Sequence, residues 1–384
     1  MDFFSSNFTL GILGGGQLGK MLLYETRKFD IRTKVMDASE EAPCKIACNA
    51  FVQGELLDFD AVYAFGKDVD VLTIEIENVN LDALEKLEDE GKKVYPPTKA
   101  LRTIQNKAKQ KLFYVDNDIP TAHFSRFAYK SEIADSVHNG GLEFPFVWKA
   151  AQFGYDGQGV KVVRKLEDLD GLPSGECITE DLIPFKNELA VIVARSVSGN
   201  TKTYPVVEME FHPDANQVEY VICPARIDET VTEKATEIAL RVSESIQHVG
   251  LLAVEMFQTH DDEILVNEVA PRPHNSGHYS IEASYTNQFE QHIRAILDLP
   301  LGNTESKLAG IMVNLVGAEG YTGEVIYENI EDILNKKGVT PHIYGKKQTR
   351  PFRKMGHVTI VNENIERARE VAQQVKEKIR VISK

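Results

Sequence analysis

Residues 251–270 read LLAVEMFQTHDDEILVNEVA, two apolar runs, Leu251 to Phe257 and Ile264 to Ala270, around the polar turn Thr259-His260-Asp261-Asp262. Such a turn between two β-favouring runs predicts an antiparallel hairpin. Centred between Asp261 and Asp262, it sets Glu255 opposite Glu268, Phe257 opposite Val266 and Thr259 opposite Ile264. Two carboxylates side by side on a largely buried ladder repel each other and lose hydration, so a proton or a cation must neutralise them. Magnesium bound to a nucleotide phosphate suits the pair, because it is commonly held by one or two carboxylates plus phosphate oxygens. The competing reading is a solvated hairpin whose glutamates face water. Asn267 precedes the second glutamate, and the segment PRPHNSGH (271–278) follows it, too polar and too stiff for a core.

Working outward, the segments before and after the hairpin differ in kind. Thr9 to Leu13 is a short apolar strand running into Gly14-Gly15-Gly16-Gln17-Leu18-Gly19 and a helix that uses Leu18, Met21 and Leu22. Ile31 to Met36, ending at Asp37, and Val69 to Ile76 read as further strands, the latter followed by a helix with Leu81, Leu84 and Leu87. Strand–helix alternation implies a parallel sheet, closed by Pro96-Pro97. One helix is expected from Thr98 through Leu101, Ile104, Ala108 and Leu112, stopping before Ile119-Pro120. Short strands at Phe146 to Lys149, Val160 to Val163, Cys177 to Glu180 and Leu189 to Ala194 predict a small antiparallel lobe. A long helix through Val231, Ala235, Ile238, Val242 and Ile246 leads into the hairpin. Gln288 to Leu297 is amphipathic, and strands at Ile311 to Val316 and His357 to Val361 precede a final helix through Ile365 to Ile379. No internal repeat is evident.

A length of 384 residues allows two or three domains, and 42% hydrophobic with 26% charged residues fits an ordinary soluble globular chain. The formal charge of −15 argues against non-specific nucleic-acid binding. One dense basic run stands out, Lys346-Lys347-Gln348-Thr349-Arg350-Pro351-Phe352-Arg353-Lys354, either a solvated face or an anion grip. The four cysteines, Cys44, Cys48, Cys177 and Cys223, lack metal-ligand spacing and read as thiols in a reducing compartment. With neither a signal-peptide pattern nor a membrane-length apolar stretch, a cytoplasmic protein with no membrane partner is expected.

Two glycine loops compete for phosphate. Gly14-x-Gly16-x-x-Gly19 with Asp37 matches a dinucleotide fingerprint on its face, although such turns also serve other phosphates or tight packing. Gly154-Tyr155-Asp156-Gly157-Gln158-Gly159 sits between two strands, where its amides can close over phosphates beside the point charge of Lys149, or where it is an ordinary hairpin turn. It lacks the lysine–serine/threonine end of a P-loop.

A sheet domain, a small lobe with a glycine lid and a two-carboxylate hairpin together resemble the ATP-grasp superfamily. Within it the chain is similar to the 5-(carboxyamino)imidazole ribonucleotide synthases, on GILGGGQLG (11–19), EIENV (75–79), GYDG (154–157), NEVAPRPHNSGH (267–278) and RKMGH (353–357). The fourth of these is the most specific and the first the least. The resemblance implies an α/β and α+β fold of ATP-grasp architecture. Its parts would be an N-terminal parallel-sheet domain (1–97), a central antiparallel ATP-grasp domain (98–305) bearing a lid lobe (about 120–187), and a small C-terminal domain (306–384). It implies ATP- and bicarbonate-dependent carboxylation of 5-aminoimidazole ribonucleotide in purine biosynthesis, with ATP and magnesium, by a homodimer.

Position by position, the resemblance gives Lys107 and Lys149 to the ATP phosphates, Gly154 to Gly159 to the lid, Glu180, Asp181, Leu182 and Ile183 to the adenine pocket, and Glu188 to ribose. Glu255 and Glu268 would ligate magnesium, with Asn267 beside them. Gln17, Glu77, Tyr155, Asp156, Arg272, His274 and Asn275 would surround bicarbonate and the aminoimidazole, Asp156, Arg272, His274 and Asn275 being the catalytic candidates. Lys347, Arg353 and Lys354 would hold the ribonucleotide phosphate. The lid departs from the family pattern: Gln152-Phe153-Gly154 and Gln158-Gly159-Val160 stand where relatives carry basic residues and further glycine. Rival readings are another ATP-grasp carboxylase or ligase, and a nicotinamide-dependent dehydrogenase built on Gly14 to Gly19.

Overall fold

The computed structural model describes residues 3–152, 159–212 and 217–384. It opens with β1 (Thr9–Leu13), α1 (Gln17–Lys28), β2 (Arg32–Asp37), β3 (Ala50–Gln53), α2 (Phe59–Lys67), β4 (Val71–Ile74), α3 (Leu81–Asp89) and β5 (Lys93–Tyr95). These strands form a parallel sheet in the order β3-β2-β1-β4-β5. The strand order reverses between β1 and β4, and the crevice above that switch point is where open α/β sheets take ligands. Gln17 and Glu75 lie at this edge. β3, α2 and β5 go beyond the sequence expectation; β3 is an edge strand with little apolar alternation, and α2 is announced mainly by its capping Asp58, whose carboxylate accepts from Ala61 N.

The single helix expected from Thr98 is two, α4 (Thr98–Ile104) and α5 (Lys107–Asp116). Asn106 is extended and its side chain accepts from Lys109 N at 2.9 Å, which ends one helix and starts the next. The break makes Lys107 the first residue of α5.

The small lobe comprises β6 (Phe124–Phe127), α6 (Lys130–His138), β7 (Phe146–Ala150), β8 (Val160–Val163) and β9 (Cys177–Asp181), in the sheet order β6-β9-β7-β8 around Phe146, Trp148, Ile133 and Val163. β10 (Phe185–Arg195), whose core Leu189 to Ala194 was expected in this lobe, belongs instead to the central sheet. Every residue from Leu189 to Ala194 is buried, so both faces of the strand are covered, a burial that a two-layer lobe does not offer.

The rest runs through β11 (Thr201–Thr203), β12 (Val207–Phe211), β13 (Val218–Cys223), α7 (Glu229–Ile246), β14 (Gly250–Thr259), β15 (Ile264–Ala270), α8 (Ser280–Ala283), α9 (Gln288–Ile296), β16 (Ala309–Val316), β17 (Gly323–Glu328), β18 (Val339–Ile343), β19 (Gln348–Thr349), β20 (Lys354–Asn362), α10 (Ile365–Lys378) and β21 (Arg380–Ser383). The central sheet has the order β15-β14-β10-β12-β13-β16-β20-β18. C-terminal strands therefore extend the sheet that carries the hairpin. α7 buries Val231, Ala235, Val242 and Ile246 in the core that includes Leu189, Val191, Leu252 and Val254.

Candidate active site

β14 and β15 form the expected hairpin and place Glu255 opposite Glu268. Past that pair the register departs from expectation: Met256 faces Val266, Phe257 faces Leu265 and Gln258 faces Ile264. The expected pairs of Phe257 with Val266 and Thr259 with Ile264 are thus displaced by one residue. A bulge at Asn267 is the cause, since an extra residue on one strand breaks the strict alternation of faces. Its consequence is functional: the consecutive residues Asn267 and Glu268 both turn toward the same cleft. There Lys149 Nζ donates to Asn267 Oδ1 at 2.9 Å and Lys107 pairs with Glu268.

The lysines come from different elements. Lys149 stands on β7 of the small lobe, whereas Lys107 opens α5, where a cation faces the positive end of the helix dipole. Lys107 N donates to Ala151 O at 2.8 Å, tying the helix start to the end of β7. Glu180, on β9, is buried; its Oε2 lies 2.9 Å from Lys149 Nζ and its Oε1 3.3 Å from Lys111 Nζ. Burial alone would push the Glu180 carboxyl up, but Lys149 and Lys111 outweigh it and hold the group below the usual carboxylate range. Its side chain is thus taken up by Lys149 and Lys111. Asp181 is exposed beside His123, and Leu182 and Ile183 follow it, half-buried, into the link to the central sheet.

Glu188, on β10, lies opposite Phe257 across the β10–β14 ladder; burial and nearby Glu268 push its carboxyl up to about 7. Glu255 is raised by burial and by Glu268 and Glu188, whereas Glu268 is lowered, chiefly by Lys107. Three carboxylates therefore converge with too little positive charge to ionise all of them, the electrostatic setting in which a hard divalent cation fits. Among the described residues no group of three His, Cys, Asp or Glu is arranged to hold a metal alone. As two buried carboxylates side by side, Glu255 and Glu268 have the donor chemistry that suits a hard divalent cation.

The loop after β15 closes the cleft toward the first sheet. Arg272 Nε donates to Glu77 Oε2 at 2.8 Å, and Gln105 Nε2 holds the Glu77 carbonyl at 2.6 Å. His274 Nε2 is 3.2 Å from Glu255 Oε1, and its Nδ1 lies 2.9 Å from Ser276 Oγ. Asn275 is buried and exchanges two amide hydrogen bonds with Asn314 at 3.0 and 2.9 Å, so it fixes the loop. Of the basic segment, Lys354 is near enough to favour ionisation of Glu255, Arg353 Nη1 donates to Gln348 O at 2.7 Å, and Lys347 pairs with exposed Glu41 at 2.7 Å. The structure brings together Lys107, Lys149, Glu180, Glu188, Glu255, Asn267, Glu268, His274 and Lys354; Lys347 stands apart at its exposed ion pair. Gly159 accepts from Ala150 N at 2.9 Å, and Gly154, Tyr155, Asp156, Gly157 and Gln158 lie outside the described residues.

The other glycine turn is filled by the chain itself. Gly16 N and Gly19 N donate to Glu75 Oε1 and Oε2, each at 3.0 Å, and Gly15 N to Asp37 Oδ2 at 2.7 Å. A Cβ at Gly16 would stand 2.7 Å from Glu75 Oε1, so glycine there admits a carboxylate, not a dinucleotide pyrophosphate. Sequence reasoning missed this role of Glu75, and missed Lys111, a buried lysine one helical turn after Lys107 whose spacing was the available signal.

A small lobe and a central sheet that close lysines and paired glutamates around one cleft define an ATP-grasp ligase fold. Family models agree: the ATP-grasp domain matches residues 112–289, the ribonucleotide synthetase preATP-grasp domain 8–105, and the phosphoribosylaminoimidazole carboxylase C-terminal domain 310–371. The chain is 38% identical over 360 residues to N5-carboxyaminoimidazole ribonucleotide synthase of Bacillus subtilis (strain 168), covering 92% of this chain and 91% of that one. It belongs to the N5-carboxyaminoimidazole ribonucleotide synthase family. The crystal structure of the Thermotoga maritima synthetase superposes with a TM-score of 0.90 at 41% identity, covering 98% of this chain and 100% of that one. An Aspergillus clavatus synthase in complex with ADP and 5-aminoimidazole ribonucleotide gives a TM-score of 0.87 at 32% identity, with coverage of 97% and 98%. The phosphoribosylaminoimidazole carboxylase of Candida albicans is longer: it is 37% identical, and the match covers 94% of this chain and 65% of that protein.

Proposed function

We propose that this chain uses ATP and bicarbonate to carboxylate the exocyclic amine of 5-aminoimidazole ribonucleotide, a step of purine biosynthesis. The observation that carries the reading is the bulge at Asn267, which turns Asn267 and Glu268 together toward Lys149 and Lys107. Lys107 and Lys149 hold the triphosphate, the backbone of Glu180 to Ile183 meets the adenine edge, and Glu188 accepts from the ribose. Glu255 and Glu268 would hold magnesium, which would supply charge neutralisation at the transferring phosphoryl group.

A bicarbonate oxygen attacks the terminal phosphorus, ADP leaves, and carboxyphosphate results. The amine nitrogen then bonds to the carboxyl carbon as phosphate departs and the amine loses a proton. Arg272 and His274, with Gln17 and Glu77, border the acceptor, and Asn275 keeps their loop in place. Lys354, Arg353 and Lys347 bind the ribonucleotide phosphate. By the family resemblance Gly154 to Gly159 would serve as the lid that keeps water from carboxyphosphate, and Asp156 would receive or position the amine proton. Three functional parts, 1–97, 98–305 and 306–384, are supported by the matched spans of the three models. A cytoplasmic homodimer completes the reading; four free cysteines among the described residues suit a reducing compartment.

The test is ADP release with 5-aminoimidazole ribonucleotide present or absent, offering bicarbonate, formate or biotin in turn. Stimulation by the ribonucleotide with bicarbonate alone is expected. Stimulation by biotin or formate would assign the chain to another ATP-grasp reaction.

A further inference from the structure

The lysine that sequence reasoning passed over closes a ring. Lys111 is 2% exposed. Its Nζ donates to Thr121 Oγ1 at 2.6 Å, and Thr121 Oγ1 donates in turn to Val266 O at 2.7 Å. On its other side Lys111 lies 3.3 Å from Glu180 Oε1, Glu180 Oε2 lies 2.9 Å from Lys149 Nζ, and Lys149 reaches Asn267 Oδ1 at 2.9 Å. Val266 and Asn267 are neighbours at the bulge, so the path returns to its start. Along it lie helix α5, the isolated bridge of Thr121 to Val266, the small-lobe strands β7 and β9, and the hairpin strand β15.

Physical chemistry gives that ring a task. Glu180 is a buried carboxylate shared by two ammonium groups, and a buried charge that loses one partner draws harder on the other. With Lys111 in place, Lys149 shares Glu180 and keeps hydrogen-bonding capacity for Asn267 and for a phosphate. Without it, Glu180 would hold Lys149 alone, and the Thr121 hydroxyl that donates to Val266 O would lose the ammonium that orients it. Lys111 has no part in the substrate contacts proposed above and acts through Glu180 and Thr121.

We propose that Lys111 is a positioning residue for ATP: through Glu180 and Thr121 it sets Lys149 and the Asn267 bulge in register, linking the small lobe to the metal hairpin. This rests on the assignment of Lys149 to the ATP phosphates. The test measures apparent KM for ATP and for 5-aminoimidazole ribonucleotide in Lys111→Met, Lys111→Arg, Glu180→Gln, Lys111→Met with Glu180→Gln, and Lys149→Ala. Lys111→Met should raise the KM for ATP about tenfold while that for the ribonucleotide moves less than about twofold, the split expected for a residue acting on one subsite. Lys111→Arg should recover most of the loss, and adding Glu180→Gln to Lys111→Met should bring less than its separate effect, because the two belong to one network. A folded Lys111→Met with unchanged KM for ATP, or with both constants rising together, would overturn the proposal, as would additive effects. Should Lys111→Met fail to fold, Thr121→Val breaks the ring elsewhere: a rise of about threefold for ATP alone supports the proposal, and no change overturns it. Lys149→Ala separates the two levels. An unchanged KM for ATP there removes the phosphate assignment and the proposal with it, whereas a rise there with none in Lys111→Met removes the ring alone.

Discussion

Two glycine-bearing regions, alike in composition, do opposite things. At Gly14 to Gly19 the amides at the start of α1 meet the carboxylate of Glu75, the residue after β4, so the anion site is satisfied within the chain. At the cleft between the small lobe and the hairpin, Lys107 and Lys149 meet Glu268, Asn267 and Glu180, and three carboxylates share too few cations. The first arrangement is satisfied by the chain's own carboxylate; the second is the one to which the proposed function assigns a divalent cation and a triphosphate. A glycine pattern thus identifies amides that can bind an anion, while the neighbouring side chains decide whose anion it is.

The largest expected effect comes from breaking the cleft. Glu268→Ala removes a metal ligand and leaves Lys107 without its carboxylate, so ADP release in the presence of ribonucleotide and bicarbonate should fall by about 10³-fold or more. Full turnover by this variant would refute the metal assignment. Glu75→Ala attacks the other region. Leaving the Gly16 and Gly19 amides without their acceptor should cost about 2–3 kcal/mol of stability in urea titration. Sulfate should restore part of that loss in the variant and not in the parent chain, as the opened nest accepts an anion; equal stability of the two proteins would show that Glu75 does not fill the nest in solution.

The seam between the regions supplies a smaller, pH-dependent effect. His292 is fully buried; Leu251 N donates to its Nδ1 at 3.3 Å, so its proton sits on Nε2, which faces Thr73 Oγ1 at 2.9 Å. Burial, with His248 nearby, lowers its pKa to about 3. Since the folded value lies below that of the unfolded chain, its contribution is full above about pH 6.5 and is lost as pH falls toward 3. Unfolding free energy should drop by about 2 kcal/mol between pH 6.5 and 4.5 on this account, and His292→Gln should flatten that slope. An unchanged slope in the variant would place the acid sensitivity elsewhere. Smallest of all, Lys347→Ala should raise the KM for the ribonucleotide about three- to tenfold with no change in melting temperature, because its pairing with exposed Glu41 contributes under about 1 kcal/mol. A lowered melting temperature with unchanged KM would make Lys347 structural.

Much of this was legible in the chain. Glu255 opposite Glu268 followed from two β runs and one polar turn, and the parallel N-terminal sheet from the alternation of strands and helices. What escaped has identifiable causes. The bulge at Asn267 is set by tertiary contacts, Lys149 on one side and the Thr121 hydroxyl on Val266 O, which no period-2 pattern reveals. The break at Asn106 interrupts a run whose apolar spacing continues across it, and only the asparagine cap betrays it. The run Leu189 to Ala194, expected in the small lobe, joins the central sheet, because a short apolar run gives no hint of which neighbour it pairs with. Glu75 and Lys111 act through partners 56 to 59 and 10 to 69 positions away, beyond any local motif.

The claim on which the account depends is that ATP phosphorylates bicarbonate in this cleft. Turnover with bicarbonate labelled throughout with ¹⁸O measures it directly, by mass spectrometry of the phosphate released. The account predicts one bicarbonate oxygen in each inorganic phosphate, dependent on 5-aminoimidazole ribonucleotide; phosphate free of the label during active turnover would contradict it.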